Sequence, residues 1–130
     1  MKIVTQSYRS SCPLSKALDL VGDKWSLVIV RDMCMKKKRY GDFQSSSEGI
    51  PTNILASRLR QLEESGVIEK IPYQDKPLRY EYYLTAKGAD LLPVIQQLVL
   101  WTQKYDADCD LVPDGFLTAD PKDLLVVKNG

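Results

Sequence analysis

The sequence predicts a mainly α-helical domain carrying one small β-hairpin, and three observations predict it. Apolar residues recur at helical spacing through most of the first 65 residues. The period then switches to alternation in VIEKIPY and RYEYYL, two Ile- and Tyr-rich runs separated by the turn-forming QDKPL. Helical spacing returns from Thr85 to about Tyr105. A chain of 130 residues has room for one compact core. Its 44% hydrophobic and 27% charged residues are those of an ordinary soluble domain.

Each element has a local reason. Cys12-Pro13 opens a short helix, LSKALDLV, because proline suits the first helical position, and Gly22 closes it. A second helix is expected from about Asp23 to Met35. Its apolar residues lie on two sides, Trp25, Val28, Ile29 and Met33 on one and Leu27, Val30 and Cys34 on the other, which marks a central helix. The basic run Lys36–Arg39 leads into a short segment, YGDFQ, and the loop SSSEGI. A third amphipathic helix begins near Pro51 and stops before Gly66, with Ile54, Leu55, Leu59 and Leu62 at helical spacing. After the hairpin, Thr85 caps a long final helix, about Ala86 to Tyr105, which Pro93 is expected to kink or break. Beyond Ala107 the chain reads as irregular, with a short helical turn near Lys122–Leu125. The expected division is therefore 1–106 as the folded domain and 107–130 as an acidic tail.

Composition narrows the function. There is no histidine, so the commonest general acid/base and the commonest transition-metal ligand are both missing. No carboxylates converge in a known arrangement, and no glycine loop of the phosphate-cradling type is present. An enzyme is not expected, and neither a cofactor nor a metal. Cys12, Cys34 and Cys109 are odd in number and widely spaced, which fits neither a disulfide framework nor a zinc site and points to a reducing compartment. With no signal-like or membrane-spanning run at the N-terminus, a cytoplasmic protein without membrane contact is expected. The net charge of +1 hides an asymmetry: residues 106–130 hold six Asp against two Lys, and the remainder is basic. A basic body suits a phosphate-bearing partner, although a solvated charged surface would look the same.

Helix, helix, short helix, helix, hairpin and long helix is the layout of a winged helix-turn-helix. In that arrangement the second helix of the pair enters the DNA major groove. Opposite the Leu55/Leu59/Leu62 stripe lie Asn53, Ala56, Ser57 and Arg60, at i, i+3, i+4 and i+7, hence on one face. Asn suits adenine and Arg suits guanine through paired hydrogen bonds, and Ala and Ser let the backbone approach. Thr52, at the start of this helix, joins the candidate contacts. Lys76 at the hairpin tip and Arg79 at the start of its second strand stand where a wing meets phosphates. A polar outer helix face and a solvated turn lysine are the plain alternatives for each feature alone; their combination is the specific signal.

The runs CPLSKALDLVGDKWSLVIVRDM, RYGDF, GIPTNILASRLRQLEESGVIEK and YYLTAKGADLLPVIQQLVLW resemble the HxlR family of bacterial transcription regulators, over roughly residues 12–105. The most specific elements are Cys12-Pro13, Gly22-Asp23-Lys24-Trp25, Asn53-Ile54-Leu55 with Arg58-Leu59, and Leu84-Thr85-Ala86-Lys87-Gly88. The resemblance implies a MarR-like winged helix, a homodimer built through the terminal helices, and binding to double-stranded palindromic operator DNA. It adds Arg39 and Tyr40, which match the family's Arg-aromatic pair, and Arg58, which matches its recognition-helix arginine, to the DNA-binding candidates. Lys36–Lys38 depart from the small or turn-forming residues common at that point, and the tail lies outside the shared pattern.

Two further expectations follow. The final helix is apolar on two adjoining faces, and Leu91, Ile95, Leu98 and Trp101 are the candidate dimer contacts, since one small domain covers only one face. Cys12 stands at the positive end of a helix with Arg9 and Lys16 near in sequence, a setting that favours a reactive thiol. The matching cysteine senses electrophiles or oxidants in some relatives and has no established redox role in others, so a small electrophile or oxidant is the candidate effector, with a plain helix cap as the alternative. Cys34 reads as a small buried apolar residue. The competing reading of the whole chain is a winged-helix protein-interaction module without sequence-specific DNA binding.

Overall fold

The computed structural model describes residues 7–125, and contains six α-helices and one antiparallel hairpin: α1 (Pro13–Val21), α2 (Ser26–Cys34), α3 (Tyr40–Gln44), α4 (Thr52–Glu64), β1 (Ile68–Gln74), β2 (Arg79–Leu84), α5 (Ala86–Ala89) and α6 (Leu92–Tyr105). Two 3-10 turns, Phe116–Thr118 and Pro121–Leu124, punctuate the end of the chain.

Several boundaries move for identifiable reasons. Gly22 adopts a right-handed φ of −83° and so does not serve as a left-handed helix stop. A Cβ at this position would collide with the Leu18 carbonyl oxygen, so close approach requires the glycine. The second helix starts at Ser26, three residues later than expected, because the Asp23 carboxylate holds residues 23–25 in a turn ahead of it. Asp23 Oδ2 accepts from the Trp25 and Ser26 amides at 3.0 and 3.1 Å, and Oδ1 accepts from the Ser26 hydroxyl. Lys36, the first residue of the lysine run, takes the left-handed φ of 72° that a turn-former would accept without strain. The long final helix is divided at Asp90–Leu91, with Pro93 in the first turn of α6. Proline has no amide to donate and crowds the carbonyl four residues back, so the break falls ahead of it.

The core is one continuous cluster. Ile29, Val30, Met33 and Cys34 of α2 meet Leu55, Leu59 and Leu62 of α4, with Phe43, Val67, Ile68, Leu84, Leu92 and Ile95 closing the sides. This makes α2 the central helix, as its two apolar sides predict. The hairpin is registered by Ile68 opposite Leu84 and Lys70 opposite Tyr82, with a β-bulge between Pro72 and Gln74. It is anchored near its middle on a third, minimal strand: Arg39 bridges Glu81, and the Tyr82 amide donates to the Lys38 carbonyl at 2.7 Å. Thr85 caps α5 by accepting from the Gly88 amide, while its hydroxyl donates to the Gly66 carbonyl at 2.6 Å. Gly88 packs so closely on the start of β1 that a Cβ would collide with the Val67 carbonyl oxygen.

The segment after Asp106 is irregular, as its breakers predict, yet it contributes Phe116 and Leu124 to the same core. Buried Gln96 of α6 donates to the carbonyls of Phe116 and Ala119 at 2.8 and 3.0 Å. The Lys36 ammonium donates to the Asp123 carbonyl at 3.1 Å. No helix among the described residues is long and apolar enough to cross a membrane.

Candidate nucleic-acid interface

Helix α4 turns Leu55, Leu59 and Leu62 inward, which leaves Thr52, Asn53, Ala56, Ser57 and Arg60 exposed on the opposite side. Among the described residues, the Asn53 and Arg60 side chains have no hydrogen-bond or ion-pair partner within the chain, so their donors and acceptors are available to a second molecule. Lys76 and Arg79 are exposed at the hairpin end, likewise without side-chain partners within the chain.

Five of the expected contacts have partners within the chain: Thr52 Oγ1 accepts from Gln44 Nε2 at 3.4 Å and Ser57 Oγ from Arg58 Nη1 at 3.5 Å, while Arg58, Tyr40 and Arg39 reach other elements. The Arg58 guanidinium lies against the start of α2, its Nε donating to Asp23 Oδ2 at 3.0 Å and its Nη1 to Gln61 Oε1 at 3.2 Å. Burial opposes ionisation of Asp23, but hydrogen bonds from Ser26 and Trp25 and the Arg58 charge outweigh it and hold the carboxyl below its usual range. The Tyr40 hydroxyl donates to the Thr52 carbonyl at 2.9 Å and so joins α3 to the first turn of α4. Arg39 Nε donates to Glu81 Oε2 at 3.0 Å, in the middle of the hairpin. These residues tie the two helices and the wing together, each through a partner distant in sequence.

A further bracket was not visible in the sequence. Arg31 of α2 donates to both oxygens of Glu48, to Asp32 at 2.8 Å and to Ser46 at 3.1 Å, tying α2 to the loop that leads into α4. The Arg31 hydrogen bonds push the Glu48 carboxyl far below the ordinary carboxylate range, and the same contacts raise Arg31. Nothing local in the sequence marks this pair, which is 17 residues apart. Asp23 did leave a signal, since it belongs to the Gly22-Asp23-Lys24-Trp25 run and stands three residues ahead of a buried serine.

The expected dimer contacts split. Ile95 is 5% exposed and belongs to the chain's own core, and Leu91 is half-buried against it. Leu98 and Trp101 are 48% and 67% exposed and continue a row with Val94 and Tyr105. Helix α1 leaves Leu14 and Leu18 similarly bare. The thiols differ as expected in exposure. Cys12 is exposed at the cap of α1, and Cys34 is buried, its thiol pushed up to about 11 by burial. The basic neighbours expected to serve Cys12 are engaged elsewhere: Arg9 pairs with Asp19, and Lys16 lies over the Tyr8 ring. Cys109 is exposed near the end of α6, with its thiol on the Asp106 carbonyl.

Comparison with known proteins places this geometry. The HxlR-like helix-turn-helix family profile matches residues 20–109. An HTH-type transcriptional regulator of Mycobacterium bovis is 40% identical over 92 residues, covering 71% of this chain and 58% of the relative, so the chain matches little more than half of that protein's length. Among solved structures, the transcription factor PA1607 is 40% identical with a TM-score of 0.71, covering 80% of this chain and 73% of its own. The redox regulator HypR in its oxidized form is 31% identical with a TM-score of 0.66, and its whole chain is covered by 77% of this one. The helix pair, the hairpin anchored behind it and these matches agree: the chain belongs to the HxlR-like helix-turn-helix family.

Proposed function

We propose that this protein is a dimeric, sequence-specific DNA-binding transcription regulator that works in the cytoplasm. The observation that carries the proposal is the exposed outer row of α4, in which Asn53 and Arg60 have no partner among the described residues and Ser57 lies on the same face, together with the exposed, basic Lys76 and Arg79 of the hairpin end. Asn53 and Arg60 are the base readers, with Thr52 and Ser57 at the groove edge; Lys76 and Arg79 neutralise phosphates. Arg58 and Tyr40 support that surface by fixing α4. Two copies pair through Leu98 and Trp101 of α6 together with the bare face of α1, so that the two α4 helices reach successive turns of one DNA face.

Selection from a random DNA pool tests the reading. The expected product is an inverted repeat with half-sites about 10 bp apart. If roughly six phosphates are neutralised per dimer, log affinity falls against log salt with a slope of about −5. No enrichment over random sequence would leave the competing reading, a protein-docking module, although the polar row of α4 lacks the Leu and aromatic side chains such a surface favours.

A second reading concerns the signal. Cys12 is exposed at the start of α1, and a structural relative is a redox regulator. In this reading an oxidant or electrophile modifies Cys12 and shifts α1 at the subunit boundary, which changes the spacing of the two α4 helices. Diamide treatment of wild type and Cys12→Ser, read by operator binding and mass spectrometry, tests it. Full affinity with Cys12 shown to be modified would reduce this residue to a helix cap.

A further inference from the structure

Arg39 stands where three elements meet. Its backbone opens α3, its own amide and that of Lys38 both donating to Asp42 Oδ2 at 3.1 and 3.2 Å. The same stretch pairs with β2 through the Tyr82 amide and the Lys38 carbonyl. The side chain reaches further. Its Nε donates to Glu81 Oε2 on β2 at 3.0 Å, while the guanidinium carbon lies 4.0 Å from the centre of the Tyr73 ring on β1. Glu81 is fully occupied: its other oxygen accepts from the Tyr83 hydroxyl at 2.7 Å, and Lys38 stands 3.7 Å away. Tyr73 falls in the β-bulge, the kind of irregularity that re-aims a side chain. A planar guanidinium can donate along its edge and stack on its face at once, so one group grips both strands of the hairpin.

We propose that Arg39, Glu81 and Tyr73 form a lock that sets the angle of the hairpin against the α3–α4 pair, with Arg39 as a positioning residue in place of a DNA contact. The inference rests on the regulator reading above. Its leverage is geometric. The tip at Lys76 lies three residues beyond Tyr73, one of them in β1 and two in the turn, at most about 10 Å away, so a tilt of about 20° at the lock displaces it by up to about 3–4 Å. That exceeds the tolerance of a hydrogen bond to phosphate. A lysine or an unpaired arginine at position 39 would leave the tip free to swing.

Glu81→Gln gives a test of sign. Removing a negative charge beside a DNA-binding surface tightens binding when only long-range charge matters; the lock requires it to weaken. In the full-length protein with its selected operator, Glu81→Gln and Tyr73→Leu are each expected to lower affinity by about tenfold. The Tyr82 amide should also exchange its hydrogen faster without DNA, because its bond to Lys38 loses support. In a Lys76→Ala, Arg79→Ala background the Glu81→Gln penalty should vanish, since the wing then has no phosphate to misplace. Equal or tighter binding by Glu81→Gln, a penalty that persists in that background, or unchanged Tyr82 exchange each overturns the lock. Tyr73→Leu alters no charge and guards against a purely electrostatic loss. If wild type selects no DNA sequence, the regulator reading fails by itself, and the exchange measurement alone decides whether the lock exists.

Discussion

Helices α4 and α6 meet the same packing requirement with opposite outer faces. Each buries one apolar stripe in the shared core, Leu55, Leu59 and Leu62 on α4, Leu92 and Ile95 on α6. The uncovered side of α4 is small, polar and basic, whereas that of α6 carries Val94, Leu98, Trp101 and Tyr105. Water solvates the first face at little cost. On the second, apolar surface left bare costs about 25 cal/mol per Å² relative to burial, so it favours a covering protein surface. Burial alone thus identifies the helices of a domain, and the chemistry of what remains exposed is what the proposed partners rest on: nucleic acid for α4, a second subunit for α6.

The sharpest way to break this contrast is to charge the apolar row. Leu98→Glu should yield a monomer in sedimentation at micromolar concentration and reduce operator affinity by more than about a hundredfold, because simultaneous engagement of two half-sites is lost. A stable dimer would place the subunit contact elsewhere. On α4 the two faces should separate cleanly. Leu59→Ala, on the inner side, should cost about 2–5 kcal/mol in urea unfolding. Asn53→Ala, on the outer side, should leave unfolding unchanged and cost about 1–3 kcal/mol of discrimination between operator and mismatched DNA. Equal loss on operator and random DNA would contradict a base-reading role for Asn53.

Lys76→Ala should weaken binding to all sequences and reduce the magnitude of the salt slope by about 1 for each phosphate that is no longer neutralised. A change in sequence preference instead would make the wing a base reader. The smallest effect concerns the Arg31–Glu48 bracket. A carboxyl held below its unfolded range contributes stability above about pH 4.3, and that contribution fades as pH falls below this value. Wild type should therefore exceed Glu48→Gln by up to about 1 kcal/mol at pH 7, the two converging in acid. A gap independent of pH would show that Glu48 acts through packing alone.

The local pattern carried most of the fold. Pro13, Gly66 and Thr85 mark helix ends by their own backbone chemistry, and the change of period at Val67 announces the hairpin; these signals involve residues a few positions apart. The outer row of α4 was legible for the same reason, because its positions follow from the helical repeat once the leucine stripe is seen. Ile95 and Leu98 could not be told apart in the sequence, because two adjoining apolar faces look alike until the chain shows which one it covers itself, and the chain covers Ile95.

What only the tertiary structure decided is where the long charged side chains go. Arg58 finds Asp23 across 35 residues, Arg39 finds Glu81 across 42, and Arg31 finds Glu48 across 17. A guanidinium on a flexible stem is available to any carboxylate brought within its reach, and sequence spacing sets no preference among distant candidates. The sequence by itself determined the helices, the hairpin, the polar reading face and the family, because each depends on backbone propensity or a short-range repeat. The folded chain alone decided which arginines stay free and which bind the elements together.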